Sequence, residues 1–226
     1  MMDRVHLAAQ LSPESLRIVG IGVYKDSRHI GMLCRESSDK RLRFVHLAFH
    51  DDLRLDDDTA KCFLWVEAKL EDETASVAAA QARRIYRRYQ AGGIPYGFSP
   101  YTGYFGPQGE IRWTAPGNGL TCATFVLAVF DSAGVRLVQG ETWPNDRPED
   151  KQFQREMINL VDQRSGASAA HLKGMKADVG QIRPRVLEVA GAVAADAYPA
   201  DFATAQTLGQ RLQEMLEFTA PPPASA

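Results

Sequence analysis

Residues 117–130 read GNGLTCATFVLAVF: a Gly-Asn-Gly turn, a threonine, a cysteine, then an unbroken apolar run. The turn followed by apolar residues predicts a helix opening at Cys122, running to about Phe130 and stopping at Asp131–Gly134. Two roles compete for its thiol. At a helix N-terminus a thiol meets the positive end of the macrodipole and unpaired N–H groups, which stabilise a thiolate nucleophile. Packed among Ala, Val, Leu and Phe, it is one more small hydrophobe and inert. A nucleophilic cysteine also needs an imidazole to take its proton and a polar group to orient that imidazole.

Five histidines are available: His6, His29, His46, His50 and His171. His6 lies in a weakly patterned leader. His171 sits in the polar stretch SGASAAHLKGM, where a solvated side chain is expected. His50 stands beside Asp51 and Asp52, but no spaced ligand set of the HExxH kind supports a metal there. His29 and His46 fall on two strand-like segments, RHIGMLC (28–34) and RLRFVHLAF (41–49), joined by a polar stretch that reads as a hairpin turn. A turn centred between Ser37 and Ser38 would set His29 directly opposite His46, with Cβ atoms roughly 4.5–5.5 Å apart. One imidazole could then orient the other; equally, both could be half-exposed polar residues on one hairpin face. A slip of one residue would separate them onto opposite faces. Glu67 is a further candidate for the orienting role.

The elements that must position these residues follow in order along the chain. SLRIVGIGVY (15–24), the hairpin and KCFLWVEAKL (61–70) read as strands, and DDLRLDDD reads as an acidic loop. EDETASVAAAQARRIYRRYQ passes from acids through alanines to arginines, as a helix dipole favours, with Val77, Ala78, Ile85 and Tyr89 on its apolar side. Next comes AGGIPYGFSPYTGYFGPQGEIRWTAPGNG, rich in Gly, Pro and aromatics and without period, a loop of the length that is often functional. It delivers the chain to Cys122, and either Trp113 or Trp143 could flank a cleft or lie in a core. From about residue 149 the pattern is helical, with Pro184 expected early in a helix. We divide the chain into a lead-in (1–16), a main α+β unit (17–140), a helical extension (141–220) and a tail (221–226) that is disordered by composition.

The 226 residues, 45% hydrophobic, suffice for one sizeable core. A net charge of -2 gives no bulk reason to expect nucleic acid. Three cysteines without a CxxC indicate neither a disulfide framework nor a zinc ribbon, and fit a reducing compartment. The N-terminus lacks the apolar run of a secretory signal, and no segment approaches the ~18 apolar residues that cross a bilayer. The expectation is a chain made in the cytoplasm, with export lacking a cleaved signal left open, and no cofactor or metal.

GGIPYGFSPYTGYF followed by GNGLTCATFVLAVFDSAGVRL resembles the NlpC-type cell-wall peptidases, which carry a G-x-P-Y motif and then a cysteine opening a buried helix. HIGML resembles the strand that bears their histidine. In the standard peptidases that strand follows the cysteine, whereas here it precedes Cys122. The reversed order resembles the circularly permuted branch of this papain-like superfamily, which includes lecithin–retinol acyltransferase-like proteins and related bacterial hydrolases. The resemblance covers residues 28–134. It implies an antiparallel sheet packed on the cysteine helix, Cys122 as nucleophile, His29 as general base and His46 as its orienting residue. It also implies a Cys122 N–H that donates to the oxyanion, and a substrate cleft near Tyr96, Asn118 and Thr121.

Thr121 and Ala123 replace the family's flanking aspartate and serine, the acyltransferase signature Asn-Cys-Glu-His is absent, and the helical extension has no counterpart. The activity implied is hydrolysis of an amide, peptide or ester bond through a thioester, including the reading of a cell-wall amidase toxin among bacterial effectors. An acyltransferase resolving the same intermediate, and a papain-like binding module with an unused thiol, are the alternatives. The C-terminal helices could serve as a docking surface for a protein partner.

Overall fold

A computed structural model describes residues 3–7, 12–35, 40–57 and 62–218. The turn expected at Ser37–Ser38 and the tail lie outside the described residues. The fold is α+β: among the described residues there are six strands and six α-helices, with the strands in one antiparallel sheet. The strands are β1 (Val5–Leu7), β2 (Val19–Tyr24), β3 (Ile30–Arg35), β4 (Leu42–Phe49), β5 (Asp52–Asp56) and β6 (Cys62–Glu67), in the spatial order β1-β6-β2-β3-β4-β5. The helices are α1 (Asp72–Tyr89), α2 (Cys122–Ser132), α3 (Pro148–Ser165), α4 (Ala169–Ala177), α5 (Val186–Ala194) and α6 (Phe202–Phe218).

Strand alternation divides the sheet into two faces. Ile21, Val23, Ile30, Met32, Val45, Leu47, Leu64 and Val66 join the buried residues of α1, α2 and α5 in the main core. Leu33, Leu42, Phe44 and Trp65 form a smaller cluster with Leu16. α2 and α5 are buried along nearly their whole lengths, as helices apolar on all sides must be. α5 packs on α2, β2, β6 and α6, so the helices beyond residue 141 share the main core with the sheet. The lead-in also contributes: β1 pairs with β6, and the Arg4 guanidinium donates to the carbonyls of Glu67, Ala194 and Ala195.

Four expectations are corrected. The stretch expected as an acidic loop contains β5, where Leu53 is buried and Arg54 holds Asp52 across the outward side. Val77 is 45% exposed, because the buried stripe of α1 is Ala75, Ala78, Ala79, Ala82 and Ile85. Pro184 precedes the helix it was expected to enter: Arg185 is the N-cap, and the Glu188 carboxylate accepts from the Arg185 N–H.

The fourth concerns the hairpin register, which is displaced by two residues. Met32 pairs with Val45, so Gly31 lies across from His46, and His29 sits diagonally from it. An even displacement keeps both histidines on one face. A Cβ on Gly31 would lie 2.5 Å from the His46 Cβ and 2.8 Å from the Phe44 ring, so only glycine leaves room for the His46 side chain here. No described helix is long and apolar enough to cross a membrane.

Candidate active site

Cys122 is the first residue of α2, and Thr121 is its N-cap. The Thr121 hydroxyl accepts from the Thr124 N–H at 3.1 Å, and the Thr124 hydroxyl accepts from the Thr121 N–H at 2.8 Å, a reciprocal capping box. Threonine is a strong N-cap, which accounts for its place before Cys122. Capping consumes the Thr124 amide, and Phe125 bonds the Thr121 carbonyl. The amides of Cys122 and Ala123 remain to favour the thiolate, joined by the Ile30 N–H and the Arg183 charge. Burial outweighs them and pushes the Cys122 thiol up from its ordinary value.

The half-buried sulfur lies 3.9 Å from the Arg28 carbonyl. The Ile30 amide also bonds it, so it rests against the backbone that carries His29. Among the described residues no hydrogen bond joins Sγ to the His29 imidazole. The two groups meet only at the cleft: the His29 ring lies with His46 on the Phe44 side of the sheet, whereas α2 packs on the Ile30 and Met32 side.

His29 and His46 are brought together as expected, and a third member extends the chain. His29 Nε2 and His46 Nδ1 are 2.7 Å apart, and His46 Nε2 is 3.1 Å from Asp56 Oδ2. The carboxylate can only accept, so His46 Nε2–H donates to it. In a neutral ring Nδ1 then carries the lone pair and accepts from His29 Nε2–H. His29 Nδ1 is left with its lone pair free, the tautomer required of a general base. Both rings are held neutral near pH 7. Burial, reinforced by the neighbouring His46, lowers His29 to about 4, and burial lowers His46 against the opposing pull of Asp56. His46 is 2% exposed and stacks on Phe44, while Tyr24 packs on His29.

Asp56 lies on β5, whose acid-rich composition reads as a loop in the sequence. The alternation Asp52, Arg54, Asp56 against Leu53, Leu55 was the available signal. Glu67 stands on β6, 3.5 Å from Arg17, and takes no part in this chain.

The loop before α2 is held by two other histidines. His50 Nδ1 accepts from the Tyr96 N–H, and its Nε2 lies 3.2 Å from the Asp51 carboxylate, so both nitrogens are engaged within the fold. His171, expected in solvent, is buried. Its Nδ1 accepts from the Gly117 N–H at 3.2 Å, and its Nε2–H donates to the Tyr96 carbonyl at 2.9 Å. Gly117 has φ +97 and lies against Gly174 of α4, where a Cβ would meet backbone at 2.4 Å. Asn118 accepts from the Ser99 hydroxyl, which itself accepts from the Gly119 N–H. It stabilises the loop and is not among the residues lining the cleft described next. Trp113 donates to the Gly103 carbonyl, and buried Trp143 donates to Glu188; neither borders that cleft.

Cys122, His29, Tyr96 and Thr121 line a cleft of about 660 Å3. Its remaining walls come from Leu47–Phe49 of β4, Phe153, Met157 and Leu160 of α3, the start of α5, and one side of α6. A buried ionic cluster fixes α3 against α5. Asp150 forms an ion pair with Arg147 and accepts from Arg183 at 2.8 Å and from Arg185 at 2.9 Å, and Glu188 accepts from Arg147 and Trp143. The helical extension is therefore one wall of the candidate site.

No protein-family model, curated protein or solved structure matches the chain. Fold and site together define an α+β protein with a cysteine on the first turn of a helix and a His–His–Asp chain beside one cleft.

Proposed function

We propose that the protein is a cysteine hydrolase of the circularly permuted NlpC-type papain-like group, cleaving an amide, peptide or ester bond through a Cys122 thioester. The observation that carries this reading is the juxtaposition at one cleft of a thiol on the first turn of a helix and an imidazole whose free lone pair is set by His46 and Asp56. The resting pair is a thiol and a neutral imidazole. On substrate binding, His29 Nδ1 takes the thiol proton as Sγ attacks the carbonyl carbon. The amides of Cys122 and Ala123, which face the sulfur, are the available donors to the oxyanion. The leaving group departs with the proton from His29, and water, deprotonated by the same imidazole, releases the acid and restores the thiol.

The test is the rate of Cys122 alkylation by iodoacetamide against pH, in the wild type and in His29→Ala. Cys34 and Cys62 are both 0% exposed, so the label reports on Cys122. The expected result is a near-neutral rate that falls at least tenfold in His29→Ala. An unchanged rate would reduce the site to a papain-like scaffold that binds without chemistry, the reading to which the upward-shifted thiol otherwise points.

A further inference from the structure

α3 and α4 share a small core of their own. Ile158, Val161, Leu172 and Met175 pack with Tyr96 and Phe98 in a cluster separate from the main core. The first turn of α3 is pinned to the start of α5 by the Asp150 cluster. Among the described residues, the side-chain hydrogen bonds that tie α4 to the loop are both made by His171. The loop is held from its other side by His50, in the turn between β4 and β5. The Tyr96 N–H donates to His50 Nδ1, and the Tyr96 carbonyl accepts from His171 Nε2–H. The two imidazoles meet edge to face, with ring centroids 4.8 Å apart. Tyr96 is thus gripped through both its N–H and its carbonyl. Segments 95–99 and 117–120, bonded to each other, lead directly to Thr121 and Cys122.

We propose that His50 and His171 form an acid-sensitive clamp, which holds α4 against the Tyr96 loop at neutral pH and releases it on acidification. The clamp does not depend on the hydrolase reading. Each ring takes a backbone N–H on Nδ1, so each carries its lone pair there and its proton on Nε2. A second proton on His171 would occupy Nδ1, turn that acceptor into a donor and leave the buried Gly117 N–H unpaired. Burial is the largest influence on His171 and lowers it from its ordinary 6.5. The Tyr96 carbonyl and Asp51 favour a charge on the ring, and His50 opposes it. α3 faces α4 with the apolar Ile158 and Val161. With the folded-state value below 6.5, the clamp contributes fully above about 6.5 and weakens as pH falls below it. α4 backs α3, whose Met157 and Leu160 border the cleft, so release loosens that wall.

Amide hydrogen exchange read by mass spectrometry between about pH 7.5 and about pH 5, corrected for the intrinsic rate, tests the clamp. In the wild type, opening of segments 94–99, 116–120 and 169–177 is expected to rise roughly threefold or more over that range, while α2 and α5 keep their protection. In His171→Gln, whose side chain offers an acceptor and a donor but does not titrate, the rise is expected to disappear. Opening that is independent of pH in the wild type, or that rises equally in His171→Gln, would overturn the clamp. So would a rise shared by α2 and α5, the mark of general acid unfolding. If His171→Gln is open at every pH, the wild-type ring decides. The nitrogen NMR shifts of His171 must change over the pH range in which the segments open, and a ring that stays neutral throughout it would overturn the proposal.

Discussion

Asp56 is the member of the site whose removal discriminates most sharply between a working relay and a decorative one. It touches neither the thiol nor the cleft; it acts through His46, whose Nε2–H it accepts at 3.1 Å. In Asp56→Asn the amide oxygen can accept the same N–H, so the tautomer order persists and only the charge is lost. A charge-assisted hydrogen bond is worth about 1.5–3 kcal/mol. The Asp56 side chain is 29% exposed and partly screened, so the lower end applies. That corresponds to a roughly tenfold loss in the rate of Cys122 alkylation.

Asp56→Leu removes the acceptor altogether. His46 then has no reason to keep its proton on Nε2, and with the proton on Nδ1 it donates to His29 Nε2. His29 Nδ1 becomes a donor, and the base is lost in that population. Here the loss is about a hundredfold or more, because a wrong tautomer disables the base in an otherwise intact site. The assay is the second-order rate constant for iodoacetamide at pH 7, with mass spectrometry to locate the single adduct and thermal melts to show that both variants are folded. The order wild type > Asn > Leu is the signature. Variants that remain folded and react at the wild-type rate, while His29→Ala is slow, would refute the relay and leave Asp56 a surface carboxylate.

The His29 acid limb is expected near pH 4. Burial and the His46 neighbour disfavour the imidazolium, so the proposed base stays unprotonated until pH falls to about 4. His46→Ala removes the facing ring and admits water, both of which raise the His29 pKa toward its ordinary 6.5. The limb should move up accordingly in the alkylation pH profile, and an unmoved limb would refute this account of the shift. Gly31→Ala should lose about 1–3 kcal/mol by overpacking, since its Cβ would meet His46 and Phe44 too closely. A chain of this length would melt lower by several degrees, at about 2–4 °C per kcal/mol, and Cys122 alkylation should slow as His46 is displaced. An unchanged melting temperature would show that the strand yields freely at that point.

What could be read from the amino-acid sequence, and what could not, follows the range of the interactions concerned. The opening of α2 at Cys122 is encoded within four residues, because Thr121 and Thr124 cap each other, and the sequence predicts it. The pairing of His29 with His46 depends on hairpin register. The observed register lies two residues from the one a Ser37–Ser38 turn would give, yet strand period preserves the shared face. Asp56 needed the recognition that an acid-rich segment can be an edge strand, and its alternation is outweighed by its composition. The role of His171 was not legible at all, since the amide and carbonyl it binds lie 54 and 75 residues away.

The helices after residue 141 pose the same problem at larger scale. A periodic apolar stripe says that one side of α3 is covered, but not by what. In α3 two adjacent stripes are covered differently: Ile158 and Val161 face the protein, Met157 and Leu160 border an open cleft, and Phe153 borders it beneath the Arg183 guanidinium. Only the positions of β4, α5 and the Asp150 cluster, each distant in sequence, separate the two. For that reason Cys122 could be nominated as a nucleophile from its own neighbourhood, while the surface that would choose its substrate emerges only once the chain is folded around it.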